Sequence, residues 1–199
     1  MSAPAARSRV RRRGLQVLAL CVALSAAACG YEPLYGRFPS RGGGTTAQME
    51  RIVVDPVSVS VTARERLLTT NSGSERTGQL IRNALFDMLT PAGKPREPLY
   101  RLKIEVEEVR TSSIISINDD ATRVSIEFRT KWELLDWKKN QPVHDGRTRA
   151  FSAYNILPAD YGNVAAERDV RARLAVETAE NIRTQIGVYF RRQTTSMAP

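Results

Sequence analysis

Cysteine and histidine are nearly absent from this sequence of 199 residues, which contains two cysteines and one histidine. Transition-metal sites of the usual kind need clusters of these residues or of carboxylates, so no metal centre is expected. The apolar fraction of 42% and the charged fraction of 26% are nevertheless ordinary for a folded domain. This composition excludes both a wholly disordered chain and a polytopic membrane protein.

Acidic residues are missing before Glu32, and five arginines fall within the first thirteen positions. The arginines precede an apolar run from Leu15 to Leu24 that is too short to cross a bilayer as a helix. A basic segment, a short apolar run and a small-residue exit are typical of a secretory signal. We therefore expect residues 1–28 to be a lipoprotein signal peptide. Its removal takes five of the nine excess positive charges with it, so a nucleic-acid partner is not expected.

Cys29 follows three alanines at the point where the signal should end, and Cys21 is lost with the signal, so no intrachain disulfide can form. This arrangement resembles a bacterial lipobox, in which the thiol is acylated and the cysteine becomes the mature N-terminus. Ala26 stands where a leucine is usual. The alternative is ordinary cleavage near Ala28, which leaves a free thiol. The arginine pair before the apolar run leaves export by the Sec or the Tat route open.

The mature chain is predicted to begin with a tether and to continue as one domain. Residues 29–49 are expected to form the acylated N-terminus and a flexible linker, because the Gly/Thr-rich part has little to bury. The folded domain is predicted at residues 50–192, with a disordered tail at 193–199. Its first strand is interrupted by Pro56, which favours an edge position. A helix with apolar residues at helical spacing is predicted at 75–89.

In the rest of the domain the spacing of apolar residues changes from that of a helix to that of a strand, and near residue 163 it returns to that of a helix. From Leu99 apolar and polar residues alternate, as in half-buried antiparallel strands, and two further strands are predicted at 123–135 and 143–154. A long amphipathic helix follows at 163–192. The order strand, helix, three strands, helix predicts an α+β two-layer sandwich, with a four-stranded mixed sheet and two helices on one face.

Two segments carry a resemblance to a known family. One is Cys29-Gly30-Tyr31-Glu32-Pro33-Leu34-Tyr35-Gly36, and the other is the charged helical segment 166–174. With the strand order, they resemble the LPS-assembly lipoprotein family, LptE. Members of that family are lipid-anchored outer-membrane proteins that face the periplasm, sit inside the LptD β-barrel, help it assemble and contact lipopolysaccharide. The resemblance implies an LptD-type barrel and lipopolysaccharide as partners, no cofactor and no enzymatic activity.

The motifs of common enzymes are missing from the sequence. Neither a nucleotide-binding glycine fingerprint nor a nucleophile elbow is present. His144 and Asp145 are adjacent on a predicted strand, so they point to opposite faces, and His144 is expected to be solvated. Glu105 and Glu107 would suit a surface-anchored hydrolase only if they converged in a pocket. They are two positions apart on a predicted strand, which favours a solvent-exposed face. An auxiliary lipoprotein of a phospholipid ABC transport system is a second alternative.

Candidate contacts follow from the chemistry that the resemblance implies. Lipopolysaccharide carries phosphates and carboxylates, which arginine binds in bidentate fashion and lysine binds as a point charge. The candidates are basic residues near exposed strand ends: Arg110, Arg123, Arg129, Lys131, Lys138 and Lys139. A solvated face that only keeps the sheet soluble is the alternative for each of them.

Candidate barrel contacts are apolar residues expected at the surface, since exposed apolar patches often mark partner sites. They are Ile114, Ile115, Ile117 and Trp137, and Trp132 adds aromatic area of the kind that interfaces use. The alternative is that Trp132 belongs to the core and that the isoleucines continue a strand.

Overall fold

The computed structural model describes residues 45–63, 74–114, 121–156 and 160–196. In chain order the elements are α1 (Thr45–Met49), β1 (Ile52–Val54), β2 (Ser58–Ala63), α2 (Ser74–Leu89), β3 (Tyr100–Ile114), β4 (Ala121–Asp136), β5 (Pro142–Asn155) and α3 (Asp160–Ser196). None of the helices in these ranges has the length and apolarity needed to cross a membrane. The predicted α+β two-layer sandwich with a mixed sheet is confirmed.

Within the described ranges the sheet has five strands, one more than the sequence predicted. β3, β4 and β5 form an antiparallel meander, while β1 and β2 both run parallel to β3 along its other edge. The predicted first strand is divided because Pro56, which has no backbone N–H to donate, lies between β1 and β2. β5 therefore forms one edge of the sheet, and two short strands form the other.

The helices pack on one side of the sheet, which we call the inner face. Even-numbered residues of β3 and β4 point to it because side chains alternate along a strand. The buried apolar side chains at the even positions of these strands are Leu102, Ile104, Val106, Val124, Ile126, Phe128, Trp132 and Leu134. Opposite them, α2 buries Ile81, Leu85 and Leu89 at a spacing of four. Each such side chain contributes about 1.5–3 kcal/mol relative to an exposed one.

The ends of the domain extend past the predicted boundaries. α1 begins at Thr45, ahead of residue 50, and its last residue Met49 is 2% exposed within the core. α3 spans 37 residues from Asp160 to Ser196, where the sequence predicted 163–192. Its buried stripe contains Val170, Leu174, Ala175, Thr178, Ala179, Ile182, Ile186 and Phe190.

A tryptophan connects α3 to the middle of the sheet. Trp132 is 1% exposed, so it belongs to the core, and its indole N–H donates to Oε1 of Gln185 at 3.1 Å. Gly146 lies opposite Trp132 in the β4–β5 register. A Cβ atom at this glycine would lie 2.5 Å from the Trp132 ring and 2.6 Å from Oε1 of Gln185. The close approach of indole, amide and strand therefore requires glycine.

His144 is packed rather than solvated, which corrects the expectation from sequence. Its ring stacks on Tyr189 of α3, with centroids 4.3 Å apart and planes 9° apart. It also makes an edge-to-face contact with Trp132, with centroids 5.5 Å apart and planes 75° apart. Its even number places the imidazole on the inner face, where α3 covers it.

Candidate functional site

The side of the sheet opposite the helices, which we call the outer face, is covered by none of the described helices. Odd-numbered residues of β3, β4 and β5 point to it, and the register aligns them in rows across the strands. Most of these side chains are charged, and every charged one is at least partly exposed, whereas Val109 is buried. A ligand that binds this face would therefore contact mainly charged side chains.

Four cations lie together at the centre of the outer face. Lys131 is directly opposite Arg147, and Arg129 is directly opposite Arg149. Residues opposite each other in antiparallel strands have Cβ atoms about 4.5–5.5 Å apart. These four residues form the cationic block. Like charges placed opposite each other destabilise a sheet, so the fold keeps this block at a cost in stability.

Half of the cationic block is neutralised by neighbouring carboxylates. Glu127 lies 2.9 Å from Nη2 of Arg129 and 2.8 Å from Nε of Arg149, and Glu107 lies 4.0 Å from Nη1 of Arg129. Its hydrogen bond and charge raise the pKa of Arg129 above the ordinary value. Lys131 and Arg147 have no ion-pair partner within the described ranges. Their charges are thus the part of the block that is available to an external anion.

The block borders an open concave region of about 820 Å³ on the outer face. Ser58, Ser60, Glu105 and Glu107 line its other side, so a row across the sheet contains a hydroxyl, an acid and two bases. A twisted sheet forms such a concavity without any covering element. The arrangement can hold an anion on the β4 and β5 side, while the acidic strand repels it from the β3 side.

The two glutamates named in the hydrolase alternative line this region but are engaged by neighbours. Glu105 lies 3.4 Å from Nζ of Lys103. Glu107 accepts a hydrogen bond from the Thr62 hydroxyl at 3.0 Å. Both carboxylates therefore act as partners within a solvated face. Within the described ranges, no group of three His, Cys, Asp or Glu residues could hold a metal ion.

The structure separates the six basic candidates from the sequence. Arg129 and Lys131 belong to the cationic block. Arg123 shares their face but lies six residues from Arg129 along β4, or about 20 Å. Lys138 and Lys139 lie in the β4–β5 turn, where their backbone amides donate to Oδ1 of Asp136 at 2.9 and 2.8 Å.

The expectation of a surface position was wrong for Arg110. Its side chain lies on the inner face and the residue is 8% exposed. Nη2 of Arg110 pairs with Glu167 of α3 at 3.2 Å. The strand pattern failed here because the inner face becomes polar beyond Val106, so a charged residue at an even position is buried.

Sequence reasoning missed Arg147 and Arg149. The predicted strand 143–154 covered both, and their odd spacing with Asp145 and Phe151 indicates a shared face. Their significance depends on the β4–β5 register, which places them opposite Lys131 and Arg129. Alternation within β5 alone predicts that Arg147 and Arg149 share a face. It does not predict that they lie opposite Lys131 and Arg129.

Of the four candidate barrel contacts, Ile114 and Trp137 lie within the described residues. Trp137 is 38% exposed and carries the Arg101 guanidinium 4.8 Å from its ring centroid. Ile114 ends β3, and its backbone is opposite Ala121 of β4. Ile115 and Ile117 lie outside the described residues, as does Cys29.

A second group of charges, the ion cluster, lies between the sheet and α3. Glu108 of β3 is fully buried, and Arg171 of α3 lies 2.9 Å from its Oε1. Arg171 also pairs with Glu167 at 2.6 Å, and Glu167 in turn pairs with Arg110. These four residues make two acids and two bases, so the cluster is neutral overall. The Thr77 and Tyr154 hydroxyls donate to Glu108 and Glu167 at 3.3 Å each.

The ion cluster stabilises its own charged state. Burial alone lowers the pKa of Arg171, but the hydrogen bonds and charges of Glu108 and Glu167 outweigh it, and the pKa is raised. Burial raises the pKa of Tyr154, and the charge of Glu167 raises it further. Each carboxylate is engaged by a guanidinium. The cluster is therefore suited to joining α3 to the sheet, and the outer face is the better candidate for binding.

Neither a scan of protein-family models nor a search of curated protein sequences finds a match to this chain. Solved structures do resemble it. One is a protein from Caulobacter crescentus CB15, provisionally named a lipoprotein, which is 22% identical with a TM-score of 0.55 over 73% of this chain and 95% of that one. Rare lipoprotein B from Shewanella oneidensis is 9% identical, with a TM-score of 0.45 over 66% and 95%. The TM-score of 0.55 shows that this chain and the Caulobacter protein share their fold.

Proposed function

We propose that this chain is an outer-membrane lipoprotein, anchored through acylated Cys29, that assists assembly of an LptD-type β-barrel. In this proposal it also helps to insert lipopolysaccharide into the outer leaflet. The observation that carries the proposal is the cationic block, which places four positive side chains on a sheet face that no described helix covers. The lipobox-like segment before Cys29 and the fold shared with a provisionally named lipoprotein support the anchor.

The block suits an anionic glycolipid because of how its charges are arranged. Lys131 and Arg147 have no ion-pair partner among the described residues, so they can meet phosphates without first breaking an internal pair. Arginine adds bidentate geometry, which a phosphate oxygen pair matches. Glu105 and Glu107 bound the block on the β3 side and direct an anion toward β4 and β5. The protein acts in this scheme by binding and positioning, without making or breaking covalent bonds.

The binding test uses the full-length protein with purified lipopolysaccharide and with a dephosphorylated preparation of the same glycolipid. The double variant Lys131→Glu/Arg147→Glu should bind the intact glycolipid about tenfold more weakly or worse, since bonds to charged groups contribute about 1.5–3 kcal/mol each. The matched control is Lys94→Glu/Arg96→Glu, which makes the same charge change at two exposed positions of the loop that follows α2. Equal losses in both double variants, or equal binding of both glycolipids, would refute the role of the block.

The cellular test is depletion. Surface lipopolysaccharide and the mature form of the barrel should both fall when the protein is removed, and mass spectrometry should find acyl chains on Cys29. Normal levels of both on full depletion would overturn the proposal. Co-purification separates the alternative of phospholipid transport, because that role predicts an ATPase partner in place of a large barrel.

A further inference from the structure

The edge strand β5 is covered along only half of its length. An edge strand presents unpaired N–H and C=O groups, which proteins usually protect with proline, charge or a covering element. The first half of β5 has such protection. Pro142 opens the strand without an N–H, Tyr189 donates to the carbonyl of Val143 at 3.3 Å, and Gln185 donates to the carbonyl of Arg147 at 3.1 Å.

These two hydrogen bonds also reveal which backbone groups point away from β4. The carbonyls of Val143 and Arg147 face α3 and not the neighbouring strand. Because backbone direction alternates along a strand, the N–H and C=O groups of Arg149, Phe151 and Ala153 point outward too. None of these outward groups has a hydrogen-bond partner within the described ranges.

The opposite edge of the sheet is protected by its own construction. β1 and β2 are short, with three and six residues, and Pro56 lies between them. Short strands and proline are two of the usual ways to prevent pairing with another chain. The stretch 111–114 of β3 lies beyond the last residue paired with β2, but it is only four residues long. The distal half of β5, residues 149–155, is therefore the longest unprotected stretch among the described edges.

Exposed apolar side chains lie within this stretch and just after it in the sequence. Phe151 is 60% exposed on the outer face, and Ile156 directly after the strand is 37% exposed. Tyr161 and Val164 in the first turns of α3 are 87% and 47% exposed. Four of the eight large apolar side chains that are exposed in the described ranges thus lie between residues 151 and 164. Such clustering is typical of a surface that a partner covers.

We propose that the distal half of β5 is a docking edge for an extended strand of a partner protein. Backbone hydrogen bonds to Arg149, Phe151 and Ala153 would supply the attachment, as in other cases of strand addition. Side chains of the added strand on the outer face would lie beside Arg149 and Phe151. The Arg149 side chain is 72% exposed, and only its Nε is engaged, by Glu127 at 2.8 Å, which leaves its other guanidinium nitrogens for a second carboxylate. The strand that fits therefore has an acidic residue next to Arg149 and an apolar residue two positions further. This inference does not depend on glycolipid binding.

The probe is a short synthetic peptide of alternating glutamate and valine, added to the full-length protein. Amide hydrogen exchange measured by NMR should slow about tenfold or more at Arg149, Phe151 and Ala153, because these amides become hydrogen-bonded. A peptide with N-methylated backbone should give no protection. Protection by both peptides, or by neither, would overturn the proposal.

Two variants locate the effect. Ala153→Pro removes an outward N–H from the open half, which an edge strand tolerates, and should abolish protection. Asp145→Pro makes the same change in the half that α3 covers and should leave peptide binding intact. If Ala153→Pro unfolds the protein, Arg149→Glu provides a second test, since it should shift the preference to a peptide of alternating lysine and valine.

The remaining outcomes identify other occupants. Slow exchange of the three amides in the free protein at low concentration would mean that a segment of this chain already covers the edge. Protection that rises with protein concentration and disappears in Ala153→Pro would mean that a second copy occupies it. Either result would overturn the assignment to a different partner protein.

Discussion

The carboxylate of Glu108 is fully buried beneath α3 and is held by Arg171, whose Nη2 lies 2.9 Å from Oε1 and whose Nε lies 3.1 Å from the same oxygen. The two residues are 63 positions apart in the sequence. Their contact joins the middle of β3 to the N-terminal third of α3. At this end of the sandwich, charge pairing takes the place that apolar packing has elsewhere.

Removing the guanidinium should therefore be costly. Arg171→Met leaves the buried Glu108 carboxylate without its cation, and breaking a buried pair in this way costs about 3–5 kcal/mol. Urea denaturation of the full-length protein measures the loss. Arg173→Met is the matched control, because Arg173 pairs with Asp169 at the surface at 3.1 Å and such pairs contribute about 0–1 kcal/mol. Similar effects in the two variants would contradict a buried and uncompensated charge.

Replacing both partners should cost less than replacing one. The double variant Glu108→Leu/Arg171→Met removes the buried acid together with its base, and apolar replacements of buried pairs are often neutral or stabilising. We expect it to be more stable than Arg171→Met alone, with Glu167 still paired to Arg110. A double-mutant cycle from denaturation curves gives the coupling between the two side chains. Strictly additive losses would show that the pair does not act as a unit.

The two clusters of charge show what periodicity can and cannot predict. The alternation through Leu102, Ile104 and Val106 predicted the inner face correctly, since apolar side chains must point to the core. The pattern ends at Glu108, whose burial depends on a partner supplied by a distant helix. No local feature of β3 predicts that partner. Helix α2 was predicted to within one residue because its apolar spacing is regular and its end lies just ahead of Pro91.

The outer face illustrates a second limit. Arg129 and Lys131 alternate with the apolar residues of β4, so their exposure could be predicted from that strand alone. The cationic block exists only because the register of β4 and β5 sets these residues opposite Arg147 and Arg149. A shift of one residue would send the side chains of one strand to the other face. Because the register is fixed by packing throughout the core, this part of the candidate site could not be predicted from the pattern of either strand.

Gly146 should not tolerate a side chain. The added methyl of Gly146→Ala would lie 2.5 Å from the Trp132 ring and 2.6 Å from Oε1 of Gln185, so the buried indole has to move. Overpacking of this kind costs about 1–3 kcal/mol. Denaturation measures the loss, and altered near-ultraviolet circular dichroism would report the displaced indole. Asp145→Ala, at the exposed neighbouring position, should change neither quantity; a Gly146→Ala protein with unchanged stability and spectrum would be inconsistent with this packing.

Asp136 should remain ionised to a lower pH than an aspartate without such hydrogen bonds. The Lys139 backbone amide donates to its carboxylate at 2.8 Å and the Lys138 amide at 2.9 Å, and these bonds lower its pKa below 3.8 even though partial desolvation opposes them. The stability that this carboxylate contributes is present above its unfolded pKa and is lost as pH falls through its folded pKa.

An NMR titration of the Asp136 carboxyl group tests this expectation directly. Its midpoint should lie below 3.8, and the stability of wild type should fall with acid in the interval under that value. Asp136→Asn keeps an acceptor for the two amides but cannot titrate, so this part of the acid dependence should vanish. A midpoint at or above 3.8 would mean that the turn does not hold the carboxylate as described.

Removing one positive charge from the cationic block should raise the free energy of unfolding. Arg147→Thr removes the cation opposite Lys131 and puts a strand-favouring residue in its place, so the free energy of unfolding should rise by about 0.2–1 kcal/mol. The gain should shrink as salt rises from about 0.01 M to about 1 M, because the repulsion is then screened. Arg149→Thr is the matched control: it also relieves repulsion but gives up the 2.8 Å pair with Glu127, so its gain should be smaller or reversed. Urea denaturation at both salt concentrations measures the free energy of unfolding of wild type and of each variant. If Arg147→Thr is destabilising and insensitive to salt, Arg147 supports the sheet and the prediction is wrong. If it is stabilising, the repulsion is retained for a purpose other than folding.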